Sequence, residues 1–129
     1  PRQGPQAPLG LTEPVGKLRK RAEFQYVAKG VRTGRPHLGA QARRRTPPDD
    51  APPRIGFTAT KKIGNSVIRN RARRRLREAA RRLAALHGRP GVDYVFLARD
   101  TTAHAPWDAL LDDMKHALIR LAAALERPA

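Results

Sequence analysis

The chain has 129 residues, a usual size for a single domain. It contains no cysteine, so disulfides, thiolate metal sites and cysteine nucleophiles are excluded, and no apolar run approaches the roughly 18 residues of a membrane span. The formal net charge of +16 predicts a polyanionic partner, and we expect a soluble, cytoplasmic protein without a membrane partner.

The basic residues are concentrated in one part of the chain. Residues 1–91 contain 23 of the 27 lysines and arginines against five acidic residues. Residues 92–129 contain four basic and six acidic residues. We therefore expect the positive charge to occupy one surface of the molecule.

The first part of the chain predicts an arm, a helix and a strand. Residues 1–16 are rich in proline and glycine without an apolar period, and we interpret them as a disordered or loosely packed arm. Residues 17–29 predict a short amphipathic helix that ends at Gly30. From His37 onward, apolar and polar residues alternate as in a strand, and residues 43–53, with four prolines, predict an exposed loop.

The second part of the chain has stronger patterns. Residues 54–60 predict a strand, residues 65–87 a long helix, and residues 92–98 the most apolar strand, while Pro106 opens a last helix. The resulting order is α-β-β-α-β-α. It predicts an α+β fold with a small central β-sheet covered by helices.

The long helix is the most unusual of these elements. Of the eighteen residues from Lys61 to Glu78, eight are Lys or Arg and one is acidic. Like charges three and four positions apart on a helix repel, so a neutralising partner is expected. Asn65 or Ser66 can cap the helix. An apolar stripe predicts its buried face, made of Ile68, Ala72, Leu76, Ala79 or Ala80, Leu83 and Leu86.

Nucleic acid is the partner that this helix favours. Arginine predominates on it, and a guanidinium can grip phosphate oxygens with two parallel hydrogen bonds. A merely solvated face normally alternates the signs of its charges, and this one does not. A helix that binds a membrane surface would carry Trp or Phe on its apolar face, where this one has Ala and Leu. An acidic protein stays an alternative.

The sequence offers no catalytic or metal-binding residues. Ser66, the only serine, lies at a helix start within the basic region, where it is expected to act as a cap. The four histidines lack the spacing of a zinc site. Asp112 and His116 are four residues apart on the last helix and predict an exposed ion pair instead of a metal site.

The run FTATKKIGNSVIRNRARRRLREAAR resembles the bacterial ribonuclease P protein component family. That family has a strand ending in Lys-Lys, a Gly-x-(Ala/Ser)-Val turn and an Arg-Asn-Arg helix, and Arg69, Asn70 and Arg71 stand at the last of these. The segments EFQYVAKG and DYVFLAR are similar to the family's first helix and last strand. The resemblance covers roughly residues 17–125, which we take as one RNA-binding domain.

The resemblance implies a protein subunit without chemistry of its own. Its partners would be the catalytic RNA of ribonuclease P and precursor tRNA, from which that RNA removes the 5′ leader, and it would have no small-molecule substrate. The protein itself would need no cofactor, and Mg²⁺ would act at the RNA active site. The family also has a left-handed βαβ crossover, against the general right-handed preference.

The resemblance also implies two sets of site residues. RNA-binding positions are Lys61, Lys62, Asn65, Arg69, Asn70, Arg71, Arg73, Arg74 and Arg77. A cleft for the single-stranded leader would be formed by Phe24, Val27, Ala28, Gly39 and Gln41. Many members have aromatic or other large residues at the last three of these positions, so stacking there is reduced in this chain.

Three alternatives stay open at this point. Phe24 can be a plain core residue instead of part of a cleft. The whole chain can be a ribosomal or other structural RNA-binding protein, which would need no leader cleft. An independent protein endonuclease would need clustered carboxylates, and the adjacent acidic pairs, at residues 49–50 and 112–113, lie outside the basic helix.

Overall fold

A computed structural model describes residues 15–127 of the chain. Five strands form one mixed sheet in the order β1-β4-β5-β3-β2, and three helices pack on it. The α+β class is therefore confirmed. The elements are β1 (Gly16–Lys17), α1 (Arg21–Ala28), β2 (Val31–Arg35), β3 (Leu38–Arg44), β4 (Arg54–Thr58), α2 (Ser66–His87), β5 (Val92–Ala98) and α3 (Trp107–Leu125), with a short 3-10 turn at Lys61–Ile63.

The sheet has helices on both faces because side chains alternate along its strands. On one face, α2 and α3 cover the main core, which includes Leu38, Tyr94 and Phe96, all fully buried. On the other, called here the α1 face, α1 covers a smaller cluster of Leu18, Val27 and Val95. Strands β4 and β5 are parallel and are joined through α2. The left-handedness expected for this β4-α2-β5 connection stays a prediction.

The beginning of the domain differs from the prediction in two ways. The first helix starts at Arg21 and not at residue 17, because Lys17 belongs to β1 and the Leu18 N–H donates to the Ile55 carbonyl at 3.0 Å. Gly16, predicted as part of the arm, pairs with Arg54 in the sheet. Val15, also predicted as part of the arm, packs against the main core. Residues 1–14 lie outside the described residues.

Glu23 holds the start of α1. Its carboxylate accepts hydrogen bonds from the backbone N–H groups of Lys20 and Arg19, both at 2.8 Å. These bonds stabilise the charged form and, with the nearby Arg54 guanidinium, lower the pKa of Glu23. Arg54 lies 3.5 Å from the second carboxylate oxygen. Glu23 thereby connects the first turn of α1 to β4.

A buried ion cluster connects the loop over residues 45–53 to the sheet. Asp93, in β5, is 1% exposed and accepts from Arg45 at 2.7 Å and from Arg54 at 2.9 and 2.7 Å. Arg45 also donates to both oxygens of Asp49, which lowers the pKa of Asp49 and raises that of Arg45. The prediction of an exposed loop from residue 43 is thus wrong at its start, since β3 runs to Arg44 and Arg45 is buried.

Candidate nucleic-acid interface

The long basic helix α2 buries the face that its apolar stripe predicts. Ala72, Leu76 and Ala79 are fully buried, and Ala80 and Ala84 nearly so. One member of the predicted stripe is wrong: the Leu86 side chain, on the last turn of α2 and at the margin of the stripe, is 69% exposed. The remaining circumference of α2 carries the arginines.

A turn of defined geometry places two lysines before the helix. Lys61 and Lys62 lie in the 3-10 turn and are exposed. Gly64 follows with φ of +146°, a conformation that residues with a β-carbon rarely adopt, and a β-carbon there would lie 3.0 Å from the Ile68 side chain. Asn65 then caps α2, its side-chain oxygen accepting the Ile68 N–H at 3.0 Å. The predicted RNA-binding residue Asn65 therefore has a structural task as well.

The other predicted RNA-binding residues lie on the first three turns of α2. Arg71, Arg74 and Arg77 are exposed, and Arg69 and Arg73 are half-buried. Arg69 donates to the Gly64 carbonyl at 3.1 Å, and Arg73 donates to the side chain of Asn70 at 2.6 Å. Seven of these basic residues together are called the cationic face: Lys61, Lys62, Arg69, Arg71, Arg73, Arg74 and Arg77.

The cationic face is not neutralised by carboxylates of the described residues. Within residues 15–127, no carboxylate forms an ion pair with any of its seven members. Arg71 and Arg74 also form no side-chain hydrogen bond in that range. Unscreened like charge of this density destabilises a helix, so the face is suited to receive phosphate.

The last two turns of α2 are different, because Glu78 neutralises them. Its carboxylate forms ion pairs with Arg81 and Arg82, and these lower the pKa of Glu78, the hydrogen bond with Arg81 being the larger cause. The charge that the sequence spreads along the whole helix is therefore available mainly on its N-terminal half.

Among the arginines of α2, Arg75 has a structural role. Its guanidinium donates to the carbonyls of Thr102 and Ala105, at 2.7 and 2.6 Å, and so attaches α2 to the loop before α3. Burial is the main cause of its lowered pKa, with a smaller effect from Arg71. Arg75 and Arg82 each lie 5.6 Å from the Trp107 ring centre. Sequence reasoning missed this, because Arg75 stands among arginines with the same local pattern.

The predicted cleft residues come together on the α1 face, with one exception. Phe24, Ala28, Gly39 and Gln41 are each half-buried or partly accessible there. Val27 is fully buried against Leu18 and Val95, so its side chain belongs to the core beneath the cleft and cannot line it. Its inclusion among the lining residues is corrected on that ground.

Phe24 both packs on the sheet and lines a groove, so the two interpretations that the sequence left open each apply in part. Its ring lies over Gly56 of β4, where a β-carbon would be 2.5 Å from the ring, so only glycine allows this approach. One side of the ring faces a shallow groove of about 200 Å³. The groove is lined by Lys17, Leu18, Phe24, Ile55, Gly56, Phe57, Arg73 and Arg77. In this groove, Arg73 and Arg77 of the cationic face lie beside the rings of Phe24 and Phe57.

Other kinds of site find no support among the described residues. In residues 15–127, no group of three His, Asp or Glu side chains is placed to hold a metal ion. No helix in that range is long and apolar enough to cross a membrane. Ser66 is the first residue of α2 and not its cap, since Asn65 holds that position. Asp112 and His116 form an exposed contact at 3.4 Å, as predicted.

A small basic α+β protein with an unneutralised arginine helix beside a partly open sheet face belongs, by its physical character, with the nucleic-acid-binding proteins. The family model described as Ribonuclease P matches residues 14–122. The chain therefore belongs to the ribonuclease P protein component family.

Relatives and solved structures agree with this assignment. The chain is 56% identical over 111 residues to the ribonuclease P protein component of Caulobacter vibrioides, covering 86% of this chain and 74% of that one. It is 48% identical to the protein of the same name from Ruegeria pomeroyi, covering 83% and 86%. The fold is similar to the RNase P proteins of Thermotoga maritima (TM-score 0.68, 22% identity, 81% and 96% covered) and Staphylococcus aureus (TM-score 0.68, 22% identity, 88% and 100% covered).

Proposed function

We propose that this chain is the cytoplasmic protein subunit of ribonuclease P, which binds the catalytic RNA and the 5′ leader of precursor tRNA and so assists 5′ maturation. The observation that carries the proposal is the cationic face. It stands at the Arg-Asn-Arg position of the family, and within residues 15–127 no carboxylate pairs with it.

The protein's contribution is electrostatic and positional. Docking an RNA against another RNA brings phosphates together, and arginines between them reduce that repulsion. The guanidinium groups of Arg71 and Arg74 are exposed and can form the paired hydrogen bonds that phosphate favours. By its resemblance to the family, the cleavage itself is assigned to the RNA subunit with its Mg²⁺.

The leader is assigned to the α1 face. A single strand can be held by basic residues along its backbone and by rings on which its bases stack. The groove beside Phe24 offers both, with Arg73 and Arg77 on one wall. Lys61 and Lys62 lie in the 3-10 turn shortly after β4. We assign them to phosphates of the leader outside the groove.

Cleavage of precursor tRNA, assayed in three arms, tests the proposal. The chain alone should not cleave, a bacterial ribonuclease P RNA alone should cleave slowly at low Mg²⁺, and the two together should cleave faster at the 5′ maturation site. Cleavage by the chain alone would indicate a protein endonuclease. RNA binding without any gain in cleavage would indicate a structural RNA-binding protein.

Phe24→Ala should produce a mixed result. Because the ring is only half-buried, the loss of stability should stay below the about 3 to 5 kcal/mol of a fully buried Phe. If the exposed side of the ring also stacks a leader base, affinity for precursor tRNA should fall by about 1 kcal/mol more than affinity for mature tRNA. Both affinities are measured with the reconstituted holoenzyme at fixed salt, beside a thermal melt of the free protein.

Val27→Ala is the matched control for Phe24→Ala. Val27 lies one turn away on α1 and is fully buried, so its truncation should reduce stability and leave the ratio of the two affinities unchanged. Equal losses for precursor and mature tRNA in Phe24→Ala would contradict the cleft assignment while leaving the role of the cationic face untouched.

A further inference from the structure

The loop between β5 and α3, residues 99–106, is hydrogen-bonded to two other parts of the fold. On one side, the Arg75 guanidinium of α2 donates to the carbonyls of Thr102 and Ala105, at 2.7 and 2.6 Å. On the other side, the Thr102 hydroxyl donates to the His37 carbonyl, in the turn between β2 and β3, at 2.6 Å. We call this connection the strut, because it runs from α2 through the loop to the edge of the sheet.

The turn at the end of the strut is held by several further bonds. The His37 N–H donates to the Asp113 carboxylate of α3 at 2.9 Å, and the His37 ring nitrogen Nδ1 lies 2.8 Å from the Thr101 hydroxyl. The same carboxylate, which is 5% exposed, accepts from Arg35 of β2 at 3.3 Å. The turn, the loop and α3 therefore belong to one hydrogen-bonded network, to which Arg75 connects α2.

The two side chains that form the strut are already committed to the fold. Thr102 is fully buried. Arg75 is half-buried, and its two terminal nitrogens both donate to carbonyls of the loop. A change at Thr102 can therefore affect RNA binding only through the fold.

The strut constrains the orientation of α2 more closely than the apolar contacts of this helix do. The buried face of α2 consists of alanines and Leu76, which pack on the main core. Apolar burial is not directional, whereas hydrogen bonds require defined distances and angles. The strut thus fixes α2, with its cationic face, relative to the sheet whose other face carries α1.

We propose that Arg75 and Thr102 are positioning residues, which hold the cationic face and the α1 face in the relative orientation that the RNA subunit and the 5′ leader need when both are bound. The inference rests on the proposed function, which assigns these two ligands to these two faces. It adds that discrimination for the leader depends on two side chains that touch neither RNA.

Substitutions at Thr102 test the strut without touching the RNA-binding residues. Thr102→Val keeps the size of the side chain and removes its hydroxyl, whereas Thr102→Ser keeps the hydroxyl. In the holoenzyme reconstituted with saturating ribonuclease P RNA, well below the melting temperature, Thr102→Val should reduce the preference for precursor over mature tRNA by roughly threefold or more, a usual size for residues that couple two sites. Affinity for the RNA subunit should be unchanged, and Thr102→Ser should restore the preference. Thr33→Val, the same chemical change at a half-buried position of β2, is the matched control and should have no effect.

Arg75→Met is a second variant, which decides the question if Thr102→Val does not fold. It keeps a long unbranched side chain and removes both hydrogen bonds to the loop, so the same loss of preference is expected. Arg71→Ala should show the opposite pattern, with weaker affinity for the RNA subunit and an unchanged preference.

Two results would overturn the inference and leave the proposed function intact. If Thr102→Val and Arg75→Met fold and keep the wild-type preference, the strut serves stability alone. If Arg75→Met lowers the affinity for the RNA subunit and the salt dependence of binding while the preference is unchanged, Arg75 binds phosphate instead. If the wild-type holoenzyme itself does not prefer precursor tRNA, the leader role in the proposed function fails, and the inference fails with it.

Discussion

Asp93→Ala should lower the free energy of unfolding by up to about 3 to 5 kcal/mol, because it removes the buried carboxylate that two guanidinium groups share. Asp93 is 1% exposed and is shared by two guanidinium groups, of which that of Arg45 is also buried. After the substitution, Arg45 keeps Asp49, and Arg54 keeps only the 3.5 Å contact with Glu23. The substitution should therefore loosen the 45–53 loop and the start of β4 together.

Urea unfolding measures this change in stability directly. Asp112→Ala removes the same charge from the exposed face of α3 and should change stability by less than about 0.5 kcal/mol. Similar midpoints for the two variants would show that the cluster around Asp93 contributes little net stability, as can happen for buried ion pairs whose desolvation cost is large.

Leu76→Ala should cost about 2 to 5 kcal/mol, since it creates a cavity between α2 and the sheet. Leu76 is fully buried in the main core, at the middle of α2. Leu86→Ala makes the same chemical change on the same helix, ten residues later, at a side chain that is 69% exposed. Its effect should be close to zero.

The two leucines together test the orientation of α2. A thermal melt in which Leu76→Ala loses as little stability as Leu86→Ala would mean that Leu76 does not face the sheet and that α2 has been oriented wrongly. Affinity for RNA should follow the folded fraction in both variants, because neither side chain belongs to the cationic face.

The elements with strong periodicity could be predicted from the sequence, and the weak ones could not. The apolar period of α2 and the continuous apolar run of β5 predicted both correctly. β2 was missed because its sequence, VRTGR, carries arginine and glycine where a strand usually alternates apolar residues. β1 was missed because two residues carry no pattern and are held only by their pairing with β4.

The division of labour among the arginines is a tertiary property. Local sequence cannot distinguish Arg71, which has no side-chain hydrogen bond within residues 15–127, from Arg75, which attaches α2 to the loop before α3. Arg45 is a similar case, since its buried partner Asp93 is 48 residues away along the chain. The sequence could predict where cations accumulate, but only the fold indicates which of them are available.

The position of glycines shows the same limit. Gly56 carries no signal of its own in the predicted strand, yet it is the residue that lets the Phe24 ring lie on β4. Gly39 was expected to mark reduced stacking, and the fold places the Arg99 guanidinium over the space it leaves. Both depend on a neighbour that is distant in sequence.

The most direct test of the cationic face is the RNA affinity of the double variant Arg71→Ala/Arg74→Ala as a function of salt. Both side chains are exposed, so the melt should be unchanged. Affinity for ribonuclease P RNA should fall, and the magnitude of the slope of log K against log salt should decrease by roughly 0.7 to 0.9 for each phosphate that is no longer bound. Arg120→Ala, with one charge removed from α3, should leave both quantities near the wild-type values. Unchanged affinity and slope in the folded double variant would contradict the assignment of this face to RNA.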